Sequence, residues 1–565
     1  MARRHARGDC DRYGHDSLRV RVCKSRRRNG KPRGLTPRRF TSESVGPDTF
    51  PNAEQRAAIV AGDATAPTEP QLQVCHGIPG AGKTSGYLVP ALFARLFAAL
   101  QAGRSPRALV TGPSNTALDR AVEESAALYE HCSTSALAEA FHDVRIIRIT
   151  HSRPPWSARP SAVAEHVEYV KPTDTETVEV LRETCLGDST ATDSVIIAAT
   201  PSSVYSLLGN LYRSYSTGKL LRDGRTYFDI AAFDEASMLT LPQVFLAAAH
   251  LTAEAPLLVA GDHRQLGPIW ARDWLDDHQP LIQQTVPYLS FLNYLRVLRG
   301  EAVDGVDRST LAADPSATIP RHTLPVSYRL PEAVAALAEK SAYQSDVSRI
   351  RTKSSSRPTP SATPTSAMEL IADPRVEIAV LLHNEAESRR ANATETAIVA
   401  ALTATMDTDE IGIISPYNAQ RGFVEAAIAT DAGDLPAQVT SVDTVNRNQG
   451  CEHEIVIYTA SASLPAYLST QDAFFWNGRR LNVSFTRPKK KLVVIASRSS
   501  FTTAPVSDKN AFEDAHQWWE LADHVGIDED PAWGPHPLSV LDSTLPEHLE
   551  DGTTLEIYTM PSLFL

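Results

Sequence analysis

Residues 77–84, "GIPGAGKT", place three glycines, a lysine and a hydroxyl at a spacing suited to phosphate. Glycines let successive backbone N–H groups turn inward on an anion, and a helix that starts there adds its positive dipole. In this pattern Lys83 reaches the terminal oxygens of a phosphate chain and Thr84 offers a magnesium ligand, while Gly77, Gly80, Gly82 and Ser85 complete the cradle. A second centre is "FDIAAFDEAS", 228–237, where an apolar run ends in two acids. Asp234 is placed to hold a metal and Glu235 to polarise an attacking water. The pair therefore implies nucleotide hydrolysis.

Both centres need a parallel sheet behind them. "QLQVCH" (71–76) reads as a buried strand before the glycine-rich turn, and "SGYLVPALFARLFAAL" as the helix after it. Similar strand runs recur at 107–111, 144–149, 194–199, 228–233 and 256–261, with helical stretches between several of them. A second series follows at 376–382, 410–415, 454–460 and 491–497. Strands that alternate with helices predict an α/β fold, here two domains in tandem. The expected boundaries are a basic arm over 1–45, a first domain over 46–275 with a small insertion around 126–193, a second domain over 276–500 with a Ser/Thr/Pro-rich loop around 350–367, and a small helical C-terminal appendix over 501–565.

Composition narrows the class. The chain has 565 residues, net charge -12 and 42% hydrophobic residues, and no apolar run long enough to span a membrane, so no membrane partner is expected. Residues 1–40 nevertheless carry fourteen Lys and Arg against three Asp, an arm that reads as disordered. Six cysteines without any C-x-x-C pair argue against a disulfide framework and point to a reducing cytoplasm. An acidic body raises a question about "RRLNVSFTRPKKKL", 479–492, which holds six cations in fourteen residues.

The motifs answer it by resemblance. "GIPGAGKT", "DEAS" and "GDHRQLGP" (261–268) together resemble superfamily 1 helicases, and the Ala-Ser after the acid pair resembles the branch containing the nonsense-mediated-decay helicase. The resemblance covers roughly residues 50–500 and implies two RecA-like domains with parallel sheets and an ATP site, with magnesium, in the cleft between them. It makes Gln265 the γ-phosphate sensor and Gln55, in "FPNAEQRAAI", the adenine reader. In "LPVSYRLPEAV" it implies that Tyr328 stacks on adenine and Arg329 touches the γ-phosphate; Gln449, Gly450 and Glu452 would sit near the nucleotide. Arg487, in "NVSFTR", becomes the arginine that reaches across the cleft. Asn448 departs from the aromatic usual before Gln-Gly, which puts local packing in question.

For nucleic acid the resemblance implies contacts from Pro113, Ser114 and Asn115 in "TGPSNTALDRAV", from Thr200 in "AATPSSV", and from Thr444. It implies an ATP-dependent helicase or translocase on single-stranded DNA or RNA, moving 5′ to 3′. The alternatives are a nucleoprotein remodeller that needs a protein partner for grip, and a non-catalytic scaffold. Only 76 residues precede Gly77, so the small β-barrel found upstream in that branch is not expected.

Overall fold

The computed structural model describes residues 51–61, 72–151, 161–174, 194–211, 226–269, 285–303, 319–353, 363–430, 433–470, 474–505, 515–541 and 552–561, apart from isolated positions in or between these ranges. The basic arm lies outside them, as does the middle of the Ser/Thr/Pro-rich loop, residues 354–362. All described residues belong to one compact unit. Among them no helix is long and apolar enough to cross a membrane.

Two sheets form the frame. In spatial order the first runs β4 (Val167–Val170), β3 (Val144–Ile149), β5 (Ser194–Ala198), β2 (Arg107–Thr111), β6 (Ile230–Phe233), β7 (Leu257–Gly261), β1 (Leu72–Gly77) and β8 (Arg321–Leu324). Every pair in it is parallel. β2, β5, β6 and β7 are buried almost throughout, as strands covered on both faces must be. A short parallel pair, β9 (Val326–Ser327) with β10 (Arg351–Thr352), follows. The second sheet runs β13 (Val439–Thr444), β12 (Ile411–Ser415), β14 (His453–Thr459), β15 (Pro488–Ser497), β11 (Val376–His383), β17 (Thr554–Pro561) and β16 (Trp533–Pro537). Its first five strands are parallel, and the last two pairings, β11 with β17 and β17 with β16, are antiparallel. The chain is thus an α/β protein with two tandem RecA-like domains.

Six helices matter for the site: α1 (Ala53–Ala61), α2 (Val89–Gln101), α3 (Asn115–Ser133), α4 (Phe291–Leu298), α5 (Gly478–Phe485) and α6 (His516–Val525). The sequence dictates α3 plainly. Ser114 caps it by accepting from the Ala117 N–H at 3.2 Å, and Leu118, Ala121, Val122, Ser125 and Ala126 form the buried stripe expected at helical spacing.

Three expected boundaries move. β8 pairs with β1, and Phe291, Leu292 and Leu295 of α4 pack in the first core, so the first domain runs past 275 to Leu324. The short strand "RHTL" escapes notice because only Leu324 in it is fully buried. The segment 126–193 is not a separate insertion: it holds the expected strand at 144–149, which is β3, and it adds β4 to the main sheet. Nor is 501–565 an appendix: β17 lies antiparallel on β11, with Leu555 and Ile557 in the second core.

α6 is anchored by Trp518. Its indole is fully buried, stacked on Phe475 at 5.3 Å and meeting Tyr458, Phe485 and Phe501 edge-on. Trp518→Ala is expected to destabilise the protein by about 3–5 kcal/mol, the range for emptying a large aromatic site. Denaturant unfolding measures this, and a loss below about 1 kcal/mol would restore the reading of α6 as a detachable piece.

Candidate active site

The glycine-rich loop leaves β1 and enters a π-helical turn, Lys83–Leu88, that continues as α2. Gly80 and Gly82 take φ of 72° and 70°, which favours glycine at both. Gly77 is needed for a different reason: a Cβ there would lie 2.5 Å from Cγ of Lys83, whose stem runs over it. The Lys83 ammonium donates to Gly77 O at 2.9 Å. Thr84 Oγ1 donates to Asp234 Oδ2 at 2.7 Å, so the two residues expected to hold a metal already converge across β1 and β6.

Asp234 and Glu235 stand where β6 ends. Glu235 has φ 48°, a strained value for a residue with a side chain, and its Oε2 is buried with no protein partner. Burial raises the Asp234 pKa, and the Glu235 charge beside it adds to the effect; the Thr84 hydroxyl and Lys83 act in the opposite direction. A divalent cation would reverse that balance.

Gln265 follows β7 and donates to Asp262 Oδ2 at 3.0 Å. Asp262 is a hub. Tyr343 donates to its Oδ2 at 2.6 Å and the His76 ring lies 3.3 Å from its Oδ1. Burial alone would raise its pKa, yet these partners and Lys83 hold it well below the usual carboxylate range. Asn482, on α5, donates to Tyr343 Oη and to Arg264 O, both at 2.9 Å. The loop carrying the expected phosphate sensor is thereby tied to the helix that leads to Arg487.

The second sheet's side supplies the arginines. The Tyr328 N–H donates to Gly80 O at 2.9 Å and Ser327 Oγ to Pro79 O at 2.9 Å, so the segment carrying Arg329 is bonded directly to the glycine-rich loop. Arg329 donates through Nη1 to Thr486 O at 3.2 Å and through Nη2 to Glu452. Arg487 follows α5 and is buried, with Nε on Val483 O at 2.8 Å. Burial pushes its pKa down to about 10, helped by Arg329, which leaves it charged at neutral pH.

These groups share one cleft. Gly80, Gly82, Lys83, Thr84, Ser85, Glu235 and Gln265 line it from the first domain; Tyr328, Arg329, Gly450, Glu452 and Arg487 line it from the other side. Glu235 Oε2, Arg329 Nε and Arg487 Nη2 are buried there without a protein partner, a donor and acceptor set that fits a triphosphate with its metal. Gln55 behaves differently from expectation. It is fully buried, accepting from the Asn52 N–H at 2.7 Å and donating to Ala81 O at 2.9 Å, so its amide braces the loop. Gln449 is not among the residues lining the cleft, and both polar atoms of its side chain are buried without a partner.

Among the residues expected to meet nucleic acid, Pro113, Ser114, Asn115 and Thr200 lie just beyond the carboxyl ends of adjacent strands β2 and β5. Thr444 ends β13 in the second sheet. Asn115 is partly committed, since its Oδ1 accepts from the fully buried Arg148 at 2.8 Å. Asn448, the departure noted above, bonds the His453 ring at 3.1 Å, and that ring fills the space over Gly412, where a Cβ would lie 2.2 Å from it. A polar pair thus occupies a site that an aromatic takes in the resembled motif. Sequence reasoning gave no role to Asp262, Tyr343 and Asn482, nor to Arg120, which also lines the cleft; Asp262, Asn482 and Arg120 lie within quoted motifs, but their links to one another are tertiary and no local spacing shows them.

A glycine-rich phosphate cradle, a strand-end acid pair and two arginines from a second RecA-like domain define a two-domain P-loop nucleotide-binding core. Two family models, each described as an AAA domain, match residues 51–199 and 307–499. The chain is 23% identical over 522 residues to the DNA polymerase alpha-associated DNA helicase A of Schizosaccharomyces pombe, covering 84% of this chain and 67% of that protein. It is 27% identical over 120 residues to a DNA replication ATP-dependent helicase/nuclease of Arabidopsis thaliana, covering 20% of this chain and 8% of that one, so it spans only a small part of that relative's length. Among solved structures, an Arterivirus nonstructural protein 10 (helicase) in complex with DNA aligns over 78% of this chain and 63% of its own at 12% identity, with a TM-score of 0.30. The chain belongs to the superfamily 1 helicases, in the branch of the nonsense-mediated-decay helicase.

Proposed function

We propose that the chain is an ATP-dependent helicase or translocase that moves 5′ to 3′ along single-stranded DNA or RNA. The observation that carries this reading is the shared cleft, with Lys83 and Thr84 on one side and Arg329 and Arg487 on the other. Bound ATP with magnesium would supply the phosphoryl group and its in-line leaving group. Lys83 and the loop amides hold the phosphates, Thr84 and Asp234 hold the metal, and Glu235 orients the attacking water. Gln265 reports on the terminal phosphate, while Arg329 and Arg487 offset the charge that develops on it. Tyr328 covers the base, with Gly450 and Glu452 beside the nucleotide; Gln55 contributes by bracing the loop under it.

Because the phosphate cradle and the arginines lie on different domains, nucleotide state biases how the two are held together. Pro113, Ser114, Asn115 and Thr200 on one sheet edge and Thr444 on the other then grip a strand alternately, through its backbone and with little sequence preference. The named helicase relatives support this. ATP turnover of the purified chain, measured with and without single-stranded DNA or RNA against Lys83→Ala as blank, tests it. Stimulation by one polymer is the expected result and names the substrate. Turnover indifferent to both would favour a remodeller that depends on a protein partner for grip.

A further inference from the structure

Arg120 lies in "TGPSNTALDRAV", a stretch whose named residues are expected to meet nucleic acid, six residues past the Ser114 cap on α3, yet its own side chain lines the nucleotide cleft. Its Nη1 donates to Glu452 Oε1 at 3.0 Å. The same oxygen accepts from Arg329 Nη2. One carboxylate oxygen is therefore shared by two guanidinium groups, one from α3 of the first domain and the other from the segment that follows β9.

The charges around the triad define what the sharing does. Glu452 is about three-quarters covered, and although burial alone would raise its pKa, the two arginines hold it down to about 2. A partly buried carboxylate left without a cation is costly, so Glu452 resists giving up its last partner. Arg329 has another task if the ATPase reading holds, because it must turn some of its donors toward phosphate. With Arg120 in place, Glu452 keeps a partner when Arg329 leaves. Without Arg120, releasing Arg329 would strand the carboxylate.

Resting on the ATPase reading, we propose that Arg120 is a positioning residue: by sharing Glu452 Oε1 with Arg329 it lowers the cost of freeing Arg329 for the terminal phosphate. Glu124 and Asp234 also act on the Arg120 charge, but Glu452 is the carboxylate it is bonded to. The role differs from that of a phosphate contact, and the difference can be measured.

The test is a cycle of four full-length chains: wild type, Arg120→Gln, Glu452→Gln and the double variant. Arg120→Gln is expected to lower kcat on the order of tenfold in the Glu452 background with KM for ATP little changed, and to change kcat by less than about twofold in the Glu452→Gln background. The same fold loss in both backgrounds would overturn the proposal, because Arg120 would then act directly or only through the fold. A second readout needs no turnover: the ratio of triphosphate to diphosphate affinity, titrated with fluorescent adenine nucleotides. It should fall in Arg120→Gln only while Glu452 is present, and an unchanged ratio would equally overturn the proposal. If wild type turns over no faster than Lys83→Ala, the ATPase reading fails, and the affinity cycle still decides the role of Arg120.

Discussion

Lys83→Ala is expected to leave the protein without measurable ATP turnover. The Lys83 ammonium is the cation that the glycine-rich loop itself presents, and its stem lies in the space Gly77 leaves open. Removing one preorganised charge from a phosphoryl-transfer site costs at least about 10²–10³ in rate, and here nucleotide affinity should fall with it. The fold should survive, since the side chain is only partly buried and bonds only loop carbonyls. Equal thermal midpoints for wild type and variant, with turnover in the variant at background, is the predicted pair of results. A variant that hydrolyses ATP at the wild-type rate would remove the loop from the site.

Arg487→Ala should lower kcat by about 10²-fold or more while nucleotide binding stays largely intact. Phosphoryl transfer asks for charge stabilisation more than for covalent help, and an arginine aimed at the transferred group is worth ~10³–10⁵ in rate. Arg487 is placed for this: it is fixed through Nε to Val483 O, its Nη2 has no protein partner, and Arg329, Glu235 and Glu452 are among the charges that act on it. Its burial means that alanine also removes packing, so Arg487→Lys belongs beside it. Lysine fills much of the space but lacks the planar fork, and it too should be slow. If both variants keep wild-type kcat, the finger is a different arginine.

The contrast between these two residues shows how far the sequence could be read. Lys83 sits in a pattern whose meaning is local, because a strand, a tight turn and a helix start within a few residues of one another set the geometry. The interior strands of the first sheet and β11, β12, β14 and β15 of the second were legible for the same reason, being short apolar runs bounded by turn residues. β8 was not, since its polar "RHTL" becomes a strand only by pairing with β1. β16 and β17 were missed likewise, and the strand they add lies against β11, far upstream in sequence.

The site divides along the same line. Asp234 and Glu235 could be named because a buried strand must deliver its terminal acids to its carboxyl edge. The resemblance made Gln55 the adenine reader, but its partners, Asn52 N and Ala81 O, turn its amide toward the glycine-rich loop. Asn448 departs from the motif, and the structure gives its Oδ1 the His453 ring as partner, a ring that fits because Gly412 has no Cβ, while its Nδ2 stays buried without a protein partner.

What the sequence determined by itself was the alternation of buried strands with helices, the phosphate cradle and the acid pair, because each depends on neighbours within a turn or a strand. What only the tertiary structure decided was which charges share a cleft. Arg120 and Glu452 are separated by 332 positions, and nothing in either neighbourhood points to the other. They meet because the two sheets bring α3 and the start of β14 to the same nucleotide cleft, and such pairings are set by packing between domains rather than by local spacing.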